Sequence, residues 1–344
     1  MTKTSNKTGN IRAYGMSPAP VNHTFKQICL ALCLSVVFCQ SVIGSDNLSP
    51  KDWLERMMEA VQKLNYQGTF IYLHDNQLET MKIAHAVDGD RVRESLMSLN
   101  GTPREVIRDA ESVTCVLPDS QEVSVDKRTP SDKFLNILPQ DLAQLEDHYN
   151  FQNMGKTRIA SRQAQVVVIM PNDRLRYGYR FSLDTESGFP LKSDLMNEQG
   201  ELVEQTMFTN LQIGIAEISE LHHRESLFTY RLKNNPGVAI ENPQINTSKW
   251  DFMRLPNGFR LSMQHQLPDP LGSDPIEQYV FSDGLSSLSV FIEAETREEA
   301  FSGVSRLGAV NAWGGQVDGY QVTAVGEVPA VTILGVVQGM QLKQ

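Results

Sequence analysis

The chain has 344 residues, with 41 acidic against 31 basic side chains and a formal net charge of −10. That balance argues against nucleic acid as a partner, because binding to phosphate backbones rests on a basic surface, although a local basic patch is still compatible with it. The length allows one large or two medium domains.

The N-terminal stretch carries the first strong signal. Lys26 precedes an apolar run from Ile28 to Cys39, and the small residues Ser41 and Gly44 follow. This pattern predicts an export signal over residues 1–44, cleaved after Gly44. The run is shorter than the about 20 residues that a hydrocarbon core takes, so a retained anchor is the weaker reading. Leu32 and Phe38 precede Cys33 and Cys39, where a lipid-modified cysteine would need a small residue. The exported chain is therefore expected to be soluble, and Cys115 is its single cysteine. It has no internal disulfide, and the alternation from Val113 to Leu117 predicts that Cys115 is buried in a strand.

After the signal, Ser49, Pro50 and Asp52 mark a helix start, and Leu54, Met57, Met58, Val61 and Leu64 give it one apolar face. From Gln67 the period falls to two. Gly68 to Leu73, Thr80 to Val87, Ser112 to Leu117 and Gln165 to Met170 read as strands. The alternation is clearest from Leu175 to Leu183. There Leu175, Tyr177, Tyr179, Phe181 and Leu183 share one face, and Arg174, Arg176, Gly178, Arg180 and Ser182 share the other. Turns at Asp184 to Gly188 and Asn197 to Gly200 continue it into an antiparallel meander. Ser131 to His148 has helical character and is expected to pack on the sheet as a second helix.

The alternation fails over residues 217–242, which are rich in polar residues and read as a linker between units at 45–216 and 243–344. In the second unit, Trp250 to Arg254 is a strand and Pro256-Asn257-Gly258 a turn. Asp283-Gly284 fits a two-residue hairpin turn with Ser282 opposite Leu285, which puts Tyr279, Phe281, Leu288, Val290 and Ile292 on one face. Gly319 to Val325 is a further strand, and Pro329 to Met340 a terminal helix weakened by Gly335 and Gly339.

Catalytic and metal motifs are missing. There is no HExxH, no GxSxG elbow and no GxxxxGK[ST] loop. His222-His223 and Glu298-Glu299 read as solvated side chains, and the Asn246-Thr247-Ser248 sequon matters only in a glycosylating pathway. No catalytic residue, metal ligand or cofactor is assigned. Two readings of the aromatic and cationic sheet stand side by side. One is an ordinary amphipathic sheet packed on helices. The other is a concave sheet that takes up acyl chains while arginines at its rim meet phosphates.

Several segments resemble a known family. They are Tyr149-Asn150-Phe151 through Gly155-Lys156-Thr157-Arg158-Ile159-Ala160, then Asp184-Thr185-Glu186-Ser187 and Gly200-Glu201-Leu202-Val203-Glu204-Gln205. In the second unit they are Pro275-Ile276-Glu277, Phe281-Ser282-Asp283-Gly284-Leu285 with Ser289-Val290, and Val325-Gly326-Glu327-Val328-Pro329. Their order and content are similar to the RseB/MucB family of periplasmic stress regulators. The resemblance implies an α+β protein. Its first domain is an unclosed antiparallel β-barrel with packed helices, like the lipoprotein carriers LolA and LolB, and a smaller α+β C-terminal domain follows. It further implies a non-enzymatic periplasmic protein that binds the periplasmic domain of a membrane-spanning anti-sigma factor of the RseA/MucA type. Such a protein shields its partner from regulated proteolysis and is released by lipopolysaccharide or a related lipid during envelope stress. Homo-oligomer formation stays open.

On this reading the lipid-binding residues are Phe70, Tyr72, Tyr177, Tyr179 and Phe181 on the apolar side and Arg174, Arg176 and Arg180 at the rim, and Gly155, Gly188 and Gly284 serve turns. A periplasmic lipoprotein or lipid carrier of LolA type is the alternative. It needs only the first domain.

Overall fold

Ser49 caps the first helix, α1 (Pro50–Lys63), in a full capping box: its side chain accepts from the Asp52 N–H, and the Asp52 carboxylate accepts from the Ser49 N–H. Replacing Ser49 with alanine is expected to cost about 1 kcal/mol, read as a lowered midpoint in urea at unchanged slope. The helix buries Trp53, Leu54, Met57, Ala60 and Val61. The computed structural model describes residues 48–89, 91–109, 112–117, 119, 122–126, 135, 137–215, 231–232, 249–268, 274–294 and 300–343. The expected export signal, most of the 217–242 linker with His222-His223, the Glu298-Glu299 pair and the sequon lie outside these residues.

The strands that follow make two meanders. β1 (Tyr66–His74), β2 (Gln77–Asp88), β3 (Arg91–Ser98), β4 (Glu105–Arg108), β5 (Val113–Leu117) and β6 (Glu122–Asp126) pair in chain order. So do β7 (Tyr149–Ile159), β8 (Arg162–Pro171), β9 (Gly178–Asp184), β10 (Pro190–Met196) and β11 (Leu202–Ile213). Antiparallel pairing of β1 with β11, from Tyr66↔Ile213 to His74↔Glu204, welds the two into one sheet. A short β12 (Arg231–Leu232), inside the expected linker, adds to β6 in parallel and completes twelve strands. Among the described residues the end strands β12 and β7 do not pair, and the sheet is unclosed.

Alternation on β1 sends Tyr66, Gly68 and Phe70 inward. Phe70 and Phe189 meet Phe208 at ring-centroid distances of 5.4 and 5.3 Å. Gly68 leaves room for this cluster, since a Cβ there would lie 2.4 Å from the Asn210 carbonyl.

The C-terminal sheet has six antiparallel strands: β14 (Arg260–Leu267), β15 (Ile276–Ser282), β16 (Ser287–Glu293), β17 (Gly303–Leu307), β18 (Val310–Val317) and β19 (Tyr320–Gly326). Their spatial order is β14-β15-β16-β19-β18-β17. β13 (Trp250–Phe252) pairs with β20 (Met340–Leu342) beside it. The helix α2 (Ala330–Gln338) buries Ile333, Val336 and Val337 in the same core as Tyr279, Phe281, Leu288, Val290 and Ile292.

The large unclosed antiparallel sheet and the smaller C-terminal unit are as expected, but with less helix than an α+β mixture implies: the architecture is mostly β, with two α-helices among the described residues. No second helix forms over the described part of 131–148: Leu142–Leu145 is a single 3-10 turn capped by Asp141, and Leu142 and Leu145 are buried. Cys115 is only half-buried, because β5 turns Thr114 and Val116 inward instead. The hairpin at Asp283 is longer than expected, and Ser282 pairs with Ser287. The Asp283 carboxylate accepts from the Leu285 and Ser286 N–H groups at 2.9 and 2.7 Å and holds the extra residues. A shift of two residues leaves every side chain on its face, so the expected apolar set is intact.

Candidate functional site

A cavity of about 230 Å³ opens beside β9, β10 and β11. Its apolar wall comes from Met57 on α1, Leu135, Ile137, Phe181, Pro190 and Leu195. Its polar wall comes from Tyr72, Tyr179, Ser193, Gln205, Thr206 and two carboxylates, Glu204 on β11 and Glu327 just after β19. Glu204 accepts from the Tyr72 hydroxyl at 2.8 Å and from the Ala309 N–H at 3.1 Å, so it ties the large sheet to the C-terminal one. Glu327 is exposed at the mouth and makes no hydrogen bond or ion pair among the described residues. Partial desolvation first, and the Glu204 charge second, raise its carboxyl above the usual range. Burial likewise pushes the Tyr72 and Tyr179 hydroxyls up, and both stay neutral at physiological pH.

A second polar cluster joins the sheets. Arg176 and Asp283 are fully buried and ion-paired at 2.6 Å. The guanidinium also bonds Asp173 at 3.0 Å and the Asn257 carbonyl at 2.7 Å, and lies over the rings of Tyr149 and Phe259 at 5.5 and 5.2 Å. The Tyr149 hydroxyl donates to Asp283 at 2.8 Å. Nearby, Thr332 Oγ1 donates to the Leu175 carbonyl at 2.6 Å and Asn311 Nδ2 to the Tyr177 hydroxyl at 2.9 Å. At Gly258, with φ of +90°, a Cβ would sit 2.2 Å from His148 Nε2, so only glycine lets the two sheets meet there.

The sequence-predicted residues divide. Tyr72, Tyr179 and Phe181 line the cavity. Phe70 lies in the core with Phe208, and Tyr177 is buried against Leu195 and Ala309. Arg176 is not at a rim. β9 begins only at Gly178, and the preceding segment is sandwiched between the two sheets, which buries the consecutive residues Arg176 and Tyr177 and breaks the alternation. Arg180 is exposed, but its fork is spent on the buried Asp194 at 2.8 and 2.7 Å. Arg174 is exposed and makes no ion pair among the described residues. Gly188 and Gly284 have positive φ in turns, as expected, and are also close approaches to Arg56 and Gln144, whereas Gly155 takes its positive φ at a bulge inside β7 rather than in a turn.

Alternation missed Glu204, Glu327, Asp283 and Tyr149 as site residues, since it finds faces and not junctions. All four stand in segments that carry the family resemblance, Glu204 and Glu327 at the cavity and Tyr149 and Asp283 at the buried ion pair.

Comparison with known proteins agrees with this arrangement. Residues 49–227 match the MucB/RseB N-terminal domain and residues 244–341 the MucB/RseB C-terminal domain. The sigma factor AlgU regulatory protein MucB of Pseudomonas aeruginosa is 34% identical over 312 residues, covering 88% of this chain and 94% of that protein. The sigma-E factor regulatory protein RseB of Escherichia coli K12 is 28% identical over 281 residues, covering 81% and 86%. The crystal structure of MucB in complex with MucA(peri) superposes with a TM-score of 0.63 at 32% identity, covering 86% of this chain and 99% of that one. Matched in chain order across both halves, the chain belongs to the MucB/RseB family of non-enzymatic sigma-factor regulatory proteins.

Proposed function

We propose that the protein is a periplasmic regulator that binds the periplasmic part of a membrane-spanning anti-sigma factor and shields it from regulated proteolysis. Lipopolysaccharide or a related lipid releases it. The observation that carries this reading is the similarity, over 86% of the chain, to MucB in complex with MucA(peri). Division of labour belongs to the same reading: residues 45–216 sense lipid, 217–242 link, and 243–344 contribute to partner binding. Tyr72, Tyr179 and Phe181 offer an apolar lining for part of an acyl chain, and of the three predicted arginines Arg174 is the exposed one without an ion pair among the described residues, open to a phosphate.

A lipid displaces a partner only by favouring the partner-free state, through competition or a changed arrangement of the two sheets. The second route must disturb the Arg176–Asp283 junction, which gives the coupling a physical seat.

Calorimetric titration of the exported chain with the periplasmic segment of the cognate anti-sigma factor tests this. Binding weakened by about fivefold or more on adding lipopolysaccharide is the expected result. Acyl-chain uptake without any binding to the segment would instead identify a carrier of LolA type.

A further inference from the structure

The cavity fits one kind of ligand better than a phosphorylated lipid headgroup. At about 230 Å³ it falls below the roughly 300–1,000 Å³ of pockets that enclose whole small molecules, so it takes one side chain or one chain end. Met57, Phe181 and Leu195 suit a methylene stem, and the Tyr72 and Tyr179 rings suit a planar cation. Glu204 and Glu327 both line it, and among the described residues neither lysine nor arginine does. Facing carboxylates with no cation between them repel, and a guanidinium placed there relieves the repulsion while its fork bonds both. The whole chain is acidic, at −10, and favours approach of a basic segment.

We propose that this cavity is a socket for an arginine side chain, flanked by apolar residues, on the polypeptide partner. The proposal rests on the regulator reading and names the chemistry its partner presents. Groups facing Glu327 are Glu204 from β11, Tyr72 from β1 and Tyr179 from β9, together with Tyr177. The tyrosines remain neutral, and Glu327 and Glu204 are the charged groups that line the cavity among the described residues, with Arg306, Glu198 and Glu79 acting on its tyrosines from farther out. Because burial and the Glu204 charge raise the Glu327 carboxyl, the socket carries the Glu327 charge above that raised value and loses its grip as pH falls through it.

The test is titration of the full exported chain with N-acetyl-Leu-Arg-Leu-amide and with its citrulline analogue, which has nearly the same shape and no charge. The arginine peptide is expected to bind about tenfold tighter. That preference should collapse in the exposed variant Glu327→Gln and shrink as pH is lowered from about 7.5 to about 5. Equal affinities, no binding of the arginine peptide, or a preference untouched by Glu327→Gln would overturn the socket. So would uptake of N-dodecylguanidinium by a chain that ignores the peptide, which would make the cavity a site for cationic amphiphiles. A parallel titration with the anti-sigma segment separates the two levels. If that segment binds wild type and Glu327→Gln alike, the socket falls and the regulator stands. If it does not bind while the peptide preference holds, the regulator falls and the socket stands.

Discussion

Arg176→Met is expected to destabilise the protein by about 3–5 kcal/mol, measured by urea unfolding. The guanidinium and its partner Asp283 have no exposed surface, so removing one leaves the other charged, buried and unpaired. Asp283 would keep only the Tyr149 hydroxyl and the N–H groups of its own turn. Asn257 would lose the donor to its carbonyl, and the rings of Tyr149 and Phe259 would lose the cation above them. Arg176→Lys should recover only part of the loss, because an ammonium cannot bond Asp173, Asp283 and Asn257 in one plane. The double variant Arg176→Met with Asp283→Leu should be less damaged than the sum of the singles, since it leaves no orphan charge. Strictly additive losses would mean that the pair is not the unit holding the sheets together.

Tyr179→Asp should abolish acyl-chain uptake, by about a hundredfold or more in a displacement assay with a fluorescent fatty acid. Tyr179 stacks on Phe181 at 5.7 Å along the cavity wall and feels both Glu204 and Glu327. A third carboxylate there would hydrate the cavity and repel its neighbours. Tyr179 fronts the cavity on one side and packs on core clusters on the other, so uptake is read only on a variant whose circular dichroism spectrum matches wild type. Full uptake by a folded variant would remove this wall from the lipid site.

How much of this was legible in the sequence depended on the range of the interactions. The Ser49 capping box spans four residues and was readable. So were β1, β2, β5, β8, β9, β10 and β11 of the large sheet and β15, β16 and β19 of the C-terminal one, because alternation is local; β3, β4, β6, β7, β14, β18 and the wholly exposed β17 were not. The segment before β9 misled: Leu175, Arg176 and Tyr177 continue the alternating pattern on paper but lie between two cores. Nothing local in Arg176 announces that its partner is Asp283, a turn residue in the other sheet. The Asp283 hairpin failed for a related reason, since its length is set by a carboxylate binding two backbone N–H groups and not by the Asp-Gly pair alone. Even so, the segments that carried the resemblance held Tyr149, Glu204, Asp283 and Glu327, which are the residues of the junction and cavity.

The weld between β1 and β11 bears on how the protein acquires its fold. β1 to β6 can each zip to the strand just made, but the other edge of β1 must hold open until β11 arrives, at the pairing Tyr66↔Ile213. Pairings of such long sequence separation are slow to form, so the large sheet should assemble late and all at once. While it waits, the Phe70 side of β1 lacks its cover from Phe208, and the half-made chain is at its most vulnerable to aggregation.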